Sequence, residues 1–448
     1  MDPLERLAQT ELARFEARTA ASGQWYRRAA EVMPGGDTRT GTYHLPYPLF
    51  IAEGQGARVR DADGNDYLDF LNNFTSLLHG HAHPAILAAL EDQARRGTVH
   101  GSANPLQVRL AETIRNRVPS VERLRFCNSG TEATLFALRA AKAATGKSRI
   151  MKMAGGYHGS HDQVAVAMAP PYGTGATQGL SPGALAEVTL GRFNDLEYTA
   201  DLIRRERHEL AAVIVEPMMG SGGALLADPA FLRGLREVTA EAGVLLILDE
   251  IITFRLGYGG LQETFDVRPD LTTFGKIIGG GLPVGAFGGR ADVMATYDPT
   301  RPGTITHSGT YNGNAATMAA GLAALEQYPR EEVSRLNGLG DRLRAGMLAA
   351  IEEAGLPATV TGYGSVLQVH FAAGPLRTVA DTDGADRRLG KLLHLAQLNR
   401  GVFAAARQMY VLSTPMTERE VDDCLGRFAD AIATMARAGA SRTTSVST

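Results

Sequence analysis

The sequence has few cysteines, few aromatic residues and almost no net charge. Of 448 residues, two are cysteine and one is tryptophan, and aromatic residues make up 6%. Two cysteines cannot build a disulfide framework, and Cys127 and Cys424 do not have the spacing of a zinc site. The 45 basic residues nearly balance the 48 acidic ones, which gives a formal net charge of −3. We therefore do not expect the basic surface of a dedicated nucleic-acid-binding protein.

The sequence also lacks a long apolar segment. No run approaches the ~18 apolar residues that a membrane span needs, and the charged N-terminus (MDPLERLAQTELARFEAR) has no apolar signal-peptide core. We therefore expect a cytoplasmic protein with a small polar substrate and no nucleic-acid or membrane partner. Glycine is in excess, with 51 residues, and its clusters predict a backbone that approaches a ligand closely.

The order of predicted elements divides the chain into three parts and a tail. Residues 1–70 predict a polar helix to about residue 30 and then the turn-rich strands of an antiparallel meander. Residues 71–325 alternate apolar strands with helices, which predicts a large α/β domain with a mostly parallel sheet covered by helices. Residues 326–438 predict a smaller α+β domain, which we group with residues 1–70, and residues 439–448 predict a disordered tail.

Polar residues follow two of the predicted strands at the point where ligands bind. In a sheet of this kind, ligands lie beyond the carboxyl ends of the strands. The strand LRFC runs into Ser129-Gly130-Thr131 and a helix, so free N–H groups and hydroxyls stand at a helix N-terminus, which suits phosphate. The strand RIMKM runs into GGYHG, where Tyr157 offers an aromatic face to a planar ligand.

Two other strand ends carry charges that are costly to bury. Asp249 follows VLLIL, where a carboxylate needs a partner to stay ionised. Lys276 follows LTTFG and precedes IIGGG, an apolar setting that lowers the pKa of a lysine and favours imine formation. Each feature also has an ordinary structural explanation: a helix N-cap, an ion pair, or a lysine that reaches solvent from the sheet edge.

Together these four features meet the requirements of one cofactor, pyridoxal phosphate. The carboxylate keeps the pyridine nitrogen protonated so that the ring acts as an electron sink, while the lysine holds the aldehyde and then moves a proton. The histidines of HGHAHP could suggest a metal, but no carboxylate or thiolate stands at a complementary spacing. We therefore predict an enzyme that uses pyridoxal phosphate and no metal.

Seven segments resemble the class III (ω-type) aminotransferases of fold-type I, the family of β-amino-acid (β-phenylalanine) aminotransferases and glutamate-1-semialdehyde aminomutases. The segments are YLDFLNNFTSLLHGHAHP, RFCNSGTEA, GGYHG, VIVEP, LLILDEI, TTFGKIIGGGLPVGAFGGR and HSGTYNGN. The resemblance implies that Lys276 is the Schiff-base lysine and Asp249 the catalytic partner of the pyridine nitrogen. The cofactor-binding residues that it implies are Ser129, Gly130, Thr131, Tyr157, Glu216 in a supporting role, and Thr310. It also implies a homodimer with shared active sites, in which Thr310 reaches the cofactor phosphate of the other subunit.

Two arginines are candidates for binding substrate carboxylates, because a guanidinium can hold a carboxylate through two hydrogen bonds. Arg39 follows a Pro-Gly-Gly turn and Arg407 lies in GVFAAARQMYVLS, although either could be an ordinary surface arginine. The β-specific members resemble this last segment without gaps, whereas in aminomutases the region is longer and contains an acidic residue. The resemblance implies ping-pong transfer of the amino group of an aromatic or aliphatic β-amino acid to 2-oxoglutarate or pyruvate. A glutamate-1-semialdehyde aminomutase, or a decarboxylase or racemase on the same fold, is the alternative.

Overall fold

The computed structural model describes residues 2–170, 172–173 and 179–439, and it divides into two compact units. Unit 1 consists of the chain up to His83, Ser334–Pro375 and the chain from Gly384 onward, and unit 2 consists of Pro84–Val333 and Leu376–Asp383. Both unit boundaries lie later in the chain than the sequence analysis places them, and residues 376–383 group with the large unit. The tail predicted for residues 439–448 lies, beyond residue 439, outside the described residues.

Helices and strands alternate through most of the chain. The helices are α1 (Pro3–Arg18), α2 (Ala20–Val32), α3 (Pro84–Arg95), α4 (Pro105–Arg117), α5 (Gly130–Thr145), α6 (Asp162–Ala165), α7 (Pro182–Ala186), α8 (Leu196–Glu206), α9 (Pro229–Ala242), α10 (Leu261–Thr264), α11 (Ala291–Met294), α12 (Ala315–Glu326), α13 (Arg330–Glu353), α14 (Arg387–Asn399) and α15 (Glu418–Arg437). The strands are β1 (Ile51–Gln55), β2 (Arg58–Asp61), β3 (Asp66–Asp69), β4 (Arg123–Cys127), β5 (Arg149–Met153), β6 (Val188–Gly191), β7 (Leu210–Val215), β8 (Met218–Met219), β9 (Leu225–Leu226), β10 (Leu245–Asp249), β11 (Leu271–Gly275), β12 (Gly285–Gly289), β13 (Thr359–Tyr363), β14 (Val366–His370), β15 (Val402–Phe403) and β16 (Met409–Val411). Among the described residues, no helix has the length and apolar character needed to cross a membrane.

Unit 2 is built on a seven-stranded sheet in the order β4-β12-β11-β10-β7-β5-β6. All neighbours pair in parallel except β12, which runs antiparallel to β4 and β11. The inner strand β7 (LAAVIV) is buried along its whole length, as expected for a parallel strand covered on both faces. The predicted α/β fold is therefore confirmed, and the carboxyl ends of its parallel strands share one edge.

A glycine lets the antiparallel strand β12 lie beside the start of α5. A Cβ atom at Gly285 would lie 2.0 Å from the carbonyl oxygen of Ser129, far inside van der Waals contact. Any side chain at this position would therefore displace Ser129, the residue that caps α5. The Gly-rich sequence GAFGG thus serves packing against the predicted phosphate cradle.

Unit 1 contains two small sheets. Strands β1, β2 and β3 form the predicted antiparallel meander, and β15 from the C-terminal part adds to β3 in parallel. Strands β13, β14 and β16 form a second, antiparallel sheet. Phe15, Val59, Tyr67 and Leu398 pack in one buried cluster, so side chains from both ends of the sequence share this core.

The N-terminal region is two helices rather than the single helix predicted for residues 1–30. Helix α1 ends at Thr19, whose φ of −126° and ψ of 36° are not helical. The carboxylate of Asp63 in the meander accepts hydrogen bonds from the backbone N–H groups of Ala21 (2.6 Å) and Ser22 (2.9 Å). A side chain distant in sequence therefore satisfies the first N–H groups of α2. The break between α1 and α2 cannot be recognised from the helical periodicity of residues 1–30 alone.

Four consecutive non-glycine residues of unit 1, Asn72–Thr75, have left-handed backbone conformations. Their φ angles are 45°, 46°, 53° and 77°. Each such residue costs roughly 1–2 kcal/mol relative to the right-handed helix. The buried side chain of Asn72 holds the turn, since its Nδ2 donates to the carbonyl oxygens of Asp69 (2.9 Å) and Val411 (2.7 Å). We refer to Asn72–Thr75 as the left-handed turn.

Candidate active site

Asp249 lies at the carboxyl end of β10 and is buried among hydrogen-bond donors. Its Oδ1 accepts hydrogen bonds from the hydroxyl of Thr273 (3.0 Å) and the backbone N–H of Ile251 (3.2 Å). Its Oδ2 lies 2.7 Å from His158 Nδ1, which donates because a carboxylate can only accept. These three donors fix the orientation of the carboxylate.

The loop that carries Tyr157 is held by Glu216, at the end of β7. Glu216 Oε1 accepts a hydrogen bond from the backbone N–H of Tyr157 (3.0 Å), and Oε2 accepts one from Gly220 (3.0 Å). Burial raises the pKa of Glu216, while the two backbone N–H groups act in the opposite direction. The ring of Tyr157 nevertheless stays 41% exposed, so an aromatic face is available to a planar ligand.

The start of α5 has the form of an anion site. Ser129 caps this 16-residue helix and accepts a hydrogen bond from the backbone N–H of Glu132 (3.2 Å). Gly159, at φ +105°, lies so close to the helix that a Cβ there would be 2.7 Å from Thr131 Cα. The Tyr157 loop therefore packs directly against the start of α5, an approach that only glycine at position 159 permits.

Lys276 follows β11 and begins a 3-10 helix that ends at Gly279. Its φ of 51° is left-handed, a strained conformation for a residue with a Cβ atom. The side chain is half-buried, and its neighbours Gly275 and Ile277 are buried. Strain of this kind is concentrated at functional sites, so the backbone is consistent with the role predicted for this lysine.

The described residues of unit 2 fit pyridoxal phosphate. Gly159 and Gly285 let the backbone pack closely against Thr131 and Ser129, Tyr157 presents its ring, and Asp249 supplies a buried carboxylate at the same edge of the sheet. Sequence reasoning missed His158, which stands beside the predicted tyrosine in GGYHG. Its Nδ1 binds Asp249, and its buried Nε2 has no hydrogen-bond partner among the described residues.

Lys152 is a second lysine of unit 2 in an apolar setting. It is fully buried in β5, and its Nζ donates to the carbonyl oxygens of Val164 (2.8 Å) and Val166 (2.5 Å). Burial lowers its pKa from 10.5 to about 7. A lysine with a lowered pKa could form an imine, but this one donates hydrogen bonds to two backbone carbonyls that follow the Tyr157 loop in the sequence.

Lys152→Met is expected to change how stability depends on pH. Between about pH 7 and 10.5 the unfolded chain binds a proton at Lys152 that the folded chain lacks, so the wild type gains stability as the pH rises through this range. Below pH 7 the folded protein buries the charge, at a cost on the order of several kcal/mol. The variant should therefore be less destabilised at about pH 6 than at about pH 9.5, measured by thermal unfolding.

Lys142→Met provides the matched control for this experiment. Its ammonium lies 3.3 Å from Glu187 Oε2 and is not fully buried. The difference in unfolding temperature between this variant and the wild type should be similar at both pH values. If Lys152→Met behaved in the same way, Lys152 would not titrate near neutral pH.

The remaining predicted site residues lie elsewhere in the two units. Thr310 is exposed on a turn of unit 2, so its role toward a second subunit stays a prediction. Arg39 and Arg407 both belong to unit 1, where each guanidinium carbon lies over the ring of Phe74, at 5.8 and 5.7 Å from its centroid. The structure thus brings the two predicted arginines to one aromatic side chain, which sequence reasoning did not identify.

Comparisons of the sequence identify a family. Residues 40–432 match the family Aminotransferase class-III. The chain is 40% identical over 411 residues to the beta-phenylalanine transaminase of Variovorax paradoxus. The aligned region covers 91% of this chain and 92% of that protein. It is 41% identical over 363 residues to the glutamate-1-semialdehyde 2,1-aminomutase of Methanosarcina acetivorans. The aligned region covers 79% of this chain and 84% of that protein.

Solved structures agree with this result. An omega-transaminase from Sphaerobacter thermophilus superposes with a TM-score of 0.90 at 43% identity, over 93% of this chain and 98% of that one. A transaminase solved with pyridoxal phosphate bound superposes with a TM-score of 0.89 at 36% identity, over 94% of this chain and 99% of that one. The predicted family, fold-type I architecture and cofactor are confirmed: the chain belongs to the class III aminotransferases and is an enzyme that uses pyridoxal phosphate.

Proposed function

We propose that this enzyme transfers the amino group of an aromatic or aliphatic β-amino acid to 2-oxoglutarate or pyruvate. The observation that carries the proposal is the pair of guanidinium groups, Arg39 and Arg407, over the one ring of Phe74. Transamination needs a carboxylate anchor for the amino donor and for the keto acid in turn, and an arginine serves that purpose well. The Variovorax relative is a beta-phenylalanine transaminase, which supports the same substrate class.

A cavity of unit 1 supports the proposed substrate size. It has a volume of about 510 Å³, within the range of small-molecule sites. Arg39, Asn73 and Phe74 line it together with apolar side chains that include Leu49 and Leu71. A charged group beside an apolar wall suits an amino acid with a carboxylate at one end and an aryl or alkyl group at the other.

Pyridoxal phosphate, when bound, supplies an electron sink for the bond that breaks at the amino-bearing carbon. In our proposal Ser129, Gly130 and Thr131 bind its phosphate through hydroxyl and N–H groups at the start of α5. Tyr157 covers one face of the ring and excludes water there. Glu216 acts indirectly, because it fixes the backbone N–H of Tyr157.

Proton transfer falls to two side chains of unit 2. Asp249, oriented by its three donors, would hold a proton on the pyridine nitrogen. Lys276 Nζ would accept and hold the proton that leaves the amino-bearing carbon of the substrate. Arg39 and Arg407 orient the substrate through its carboxylate. The donor and the keto acid occupy the site in succession, with one arginine holding the carboxylate of the donor and the other that of the keto acid. This gives a ping-pong reaction, and we propose that it takes place in a homodimer with shared sites.

The test is the absorbance spectrum of the purified holoenzyme before and after addition of 3-amino-3-phenylpropanoate, with no keto acid present. We expect the visible band of the lysine-linked cofactor to disappear, because the first half-reaction needs no acceptor. Addition of 2-oxoglutarate or pyruvate should then restore the band, and the compound that does so is the acceptor. Glycine serves as the control donor and should leave the band unchanged.

A band that 3-amino-3-phenylpropanoate leaves unchanged would contradict the proposed substrate class. The glutamate-1-semialdehyde aminomutase relative makes intramolecular transfer the next function to test. That reaction would consume glutamate-1-semialdehyde with no added keto acid, whereas the proposed transaminase depends on one.

A further inference from the structure

Phe74 contacts both of the arginines that the proposed function uses. The guanidinium carbon of Arg39 lies 5.8 Å from the centroid of its ring, and that of Arg407 lies 5.7 Å from it. Both distances are within the ~6 Å at which a cation over an aromatic face is attracted by the ring. The two arginines come from opposite ends of the sequence, so this ring is the feature that they share.

The backbone around Phe74 is built to hold the ring in one place. Phe74 is the third residue of the left-handed turn, with a φ of 53°. Besides the Asn72 side-chain bonds already described, Asp69 Oδ1 accepts a hydrogen bond from the backbone N–H of Asn72 (2.8 Å). Asp69 Oδ2 in turn lies 2.7 Å from Nε2 of His81. A strained turn persists only when its surroundings determine it in this way.

Each arginine is also positioned by its own segment. Arg39 Nη1 donates to Oδ1 of Asn73 (2.7 Å), so Arg39 contacts the left-handed turn through both a hydrogen bond and the ring. Arg407 lies on a tight turn closed by the N–H of Gln408, which donates to the carbonyl of Ala405 (2.8 Å). Gln408 itself is left-handed at φ 67° and donates through Nε2 to Gly390 (2.9 Å).

A ring beneath a guanidinium orients it without using its hydrogen-bonding edge. The aromatic face attracts the cation without accepting a hydrogen bond from the N–H groups around the edge of the guanidinium. A residue that orients both guanidinium groups would therefore affect the binding of both substrates. A residue that contacts only one arginine would affect only one substrate.

We infer that Phe74 is a positioning residue shared by Arg39 and Arg407, and that it sets the affinity of the enzyme for the amino donor and the keto acid together. The inference rests on the proposed function, because it takes the two arginines as the carboxylate anchors.

The test is a steady-state comparison of Phe74→Leu with the wild-type holoenzyme, using 3-amino-3-phenylpropanoate and the acceptor found above. We expect KM to rise about tenfold for both substrates, the effect of losing one favourable cation–ring contact at each anchor. kcat should change by less than about threefold, and the visible spectrum of the resting enzyme should not change. Phe74→Tyr keeps the ring and should restore both KM values.

Three controls separate this inference from the proposed function. Arg39→Ala and Arg407→Ala should each raise mainly one of the two KM values, whereas Phe74→Leu raises both. Trp25→Leu removes another ring that lies under an arginine, 4.5 Å from the guanidinium carbon of Arg28, on the exposed surface of α2. It should leave both KM values unchanged.

If the arginine variants raise KM and Phe74→Leu does not, the inference is overturned and the proposed function still stands. A rise in only one KM for Phe74→Leu would also overturn it, because the role would not be shared. Unchanged KM values in both arginine variants would instead contradict the proposed anchors. If Phe74→Leu does not fold, Phe74→Met removes the ring with less loss of apolar volume, and the same outcomes apply.

Discussion

Lys276→Ala is expected to abolish transamination, with kcat reduced on the order of 10⁴-fold or more. In the proposed mechanism the variant loses both the amine that joins the cofactor and the base that moves the substrate proton. The fold should survive, because alanine keeps the backbone of residue 276, and because Asp249 stays bound to His158, Ile251 and Thr273. The measurements are turnover and the visible spectrum after addition of pyridoxal phosphate, which should lack the band of the lysine-linked cofactor.

Lys152→Met is the comparison that shows which of the two lysines binds the cofactor. Lys152 is a buried lysine whose pKa is lowered to about 7, and it is held by two carbonyl oxygens. If it were the lysine that binds the cofactor, its replacement would remove the visible band and Lys276→Ala would keep it. We expect the opposite result for both variants.

Asp249→Asn is expected to lower kcat by roughly 10²–10⁴-fold, the range typical of a group that controls one proton. Asparagine has the same shape and can still accept hydrogen bonds through its carbonyl oxygen. It has no charge, however, and cannot keep a proton on the pyridine nitrogen. The loss should therefore appear in turnover with little change in the unfolding temperature of the enzyme.

The neighbouring carboxylate, Glu250, provides the matched control. Burial raises its pKa to about 7, and it accepts hydrogen bonds from the backbone N–H groups of Leu261 (3.1 Å) and Gln262 (2.7 Å). This carboxylate anchors α10, so Glu250→Gln should lower the unfolding temperature and leave the kcat of folded enzyme within a few-fold of the wild type. If Asp249→Asn and Glu250→Gln lowered kcat equally, the result would contradict the proposed role of Asp249 toward the pyridine nitrogen.

The parts of the fold that depend on local pattern could be predicted from the sequence. Runs such as LAAVIV and LLILD are apolar because parallel strands are buried on both faces, and both are strands in the structure. The residues that follow these strands could be identified because a parallel sheet brings its carboxyl ends to one edge. This reasoning was enough to select Asp249 and Lys276 as candidates for the cofactor site.

Features that depend on distant contacts could not be predicted. The break at Thr19 depends on Asp63, and the burial of Lys152 depends on the carbonyl groups of Val164 and Val166. The left-handed turn contains no glycine that would indicate positive φ angles. Phe74 therefore cannot be distinguished in the sequence from the other aromatic residues of apolar segments. Its contact with two arginines far apart in sequence becomes visible only in the folded unit 1.

The division of the chain also sets an order of assembly during synthesis. Most of unit 2 is one continuous stretch, Pro84–Val333, whereas unit 1 needs both ends of the chain. Strand β3 pairs with β15, and Asn72 donates to Val411. The ribosome completes these partners last, so the seven-stranded sheet of unit 2 can form while the first 83 residues still lack their C-terminal partners. A nascent chain that stops before β15 would thus contain the residues proposed to bind the cofactor but would lack Arg407, one of the two proposed carboxylate anchors.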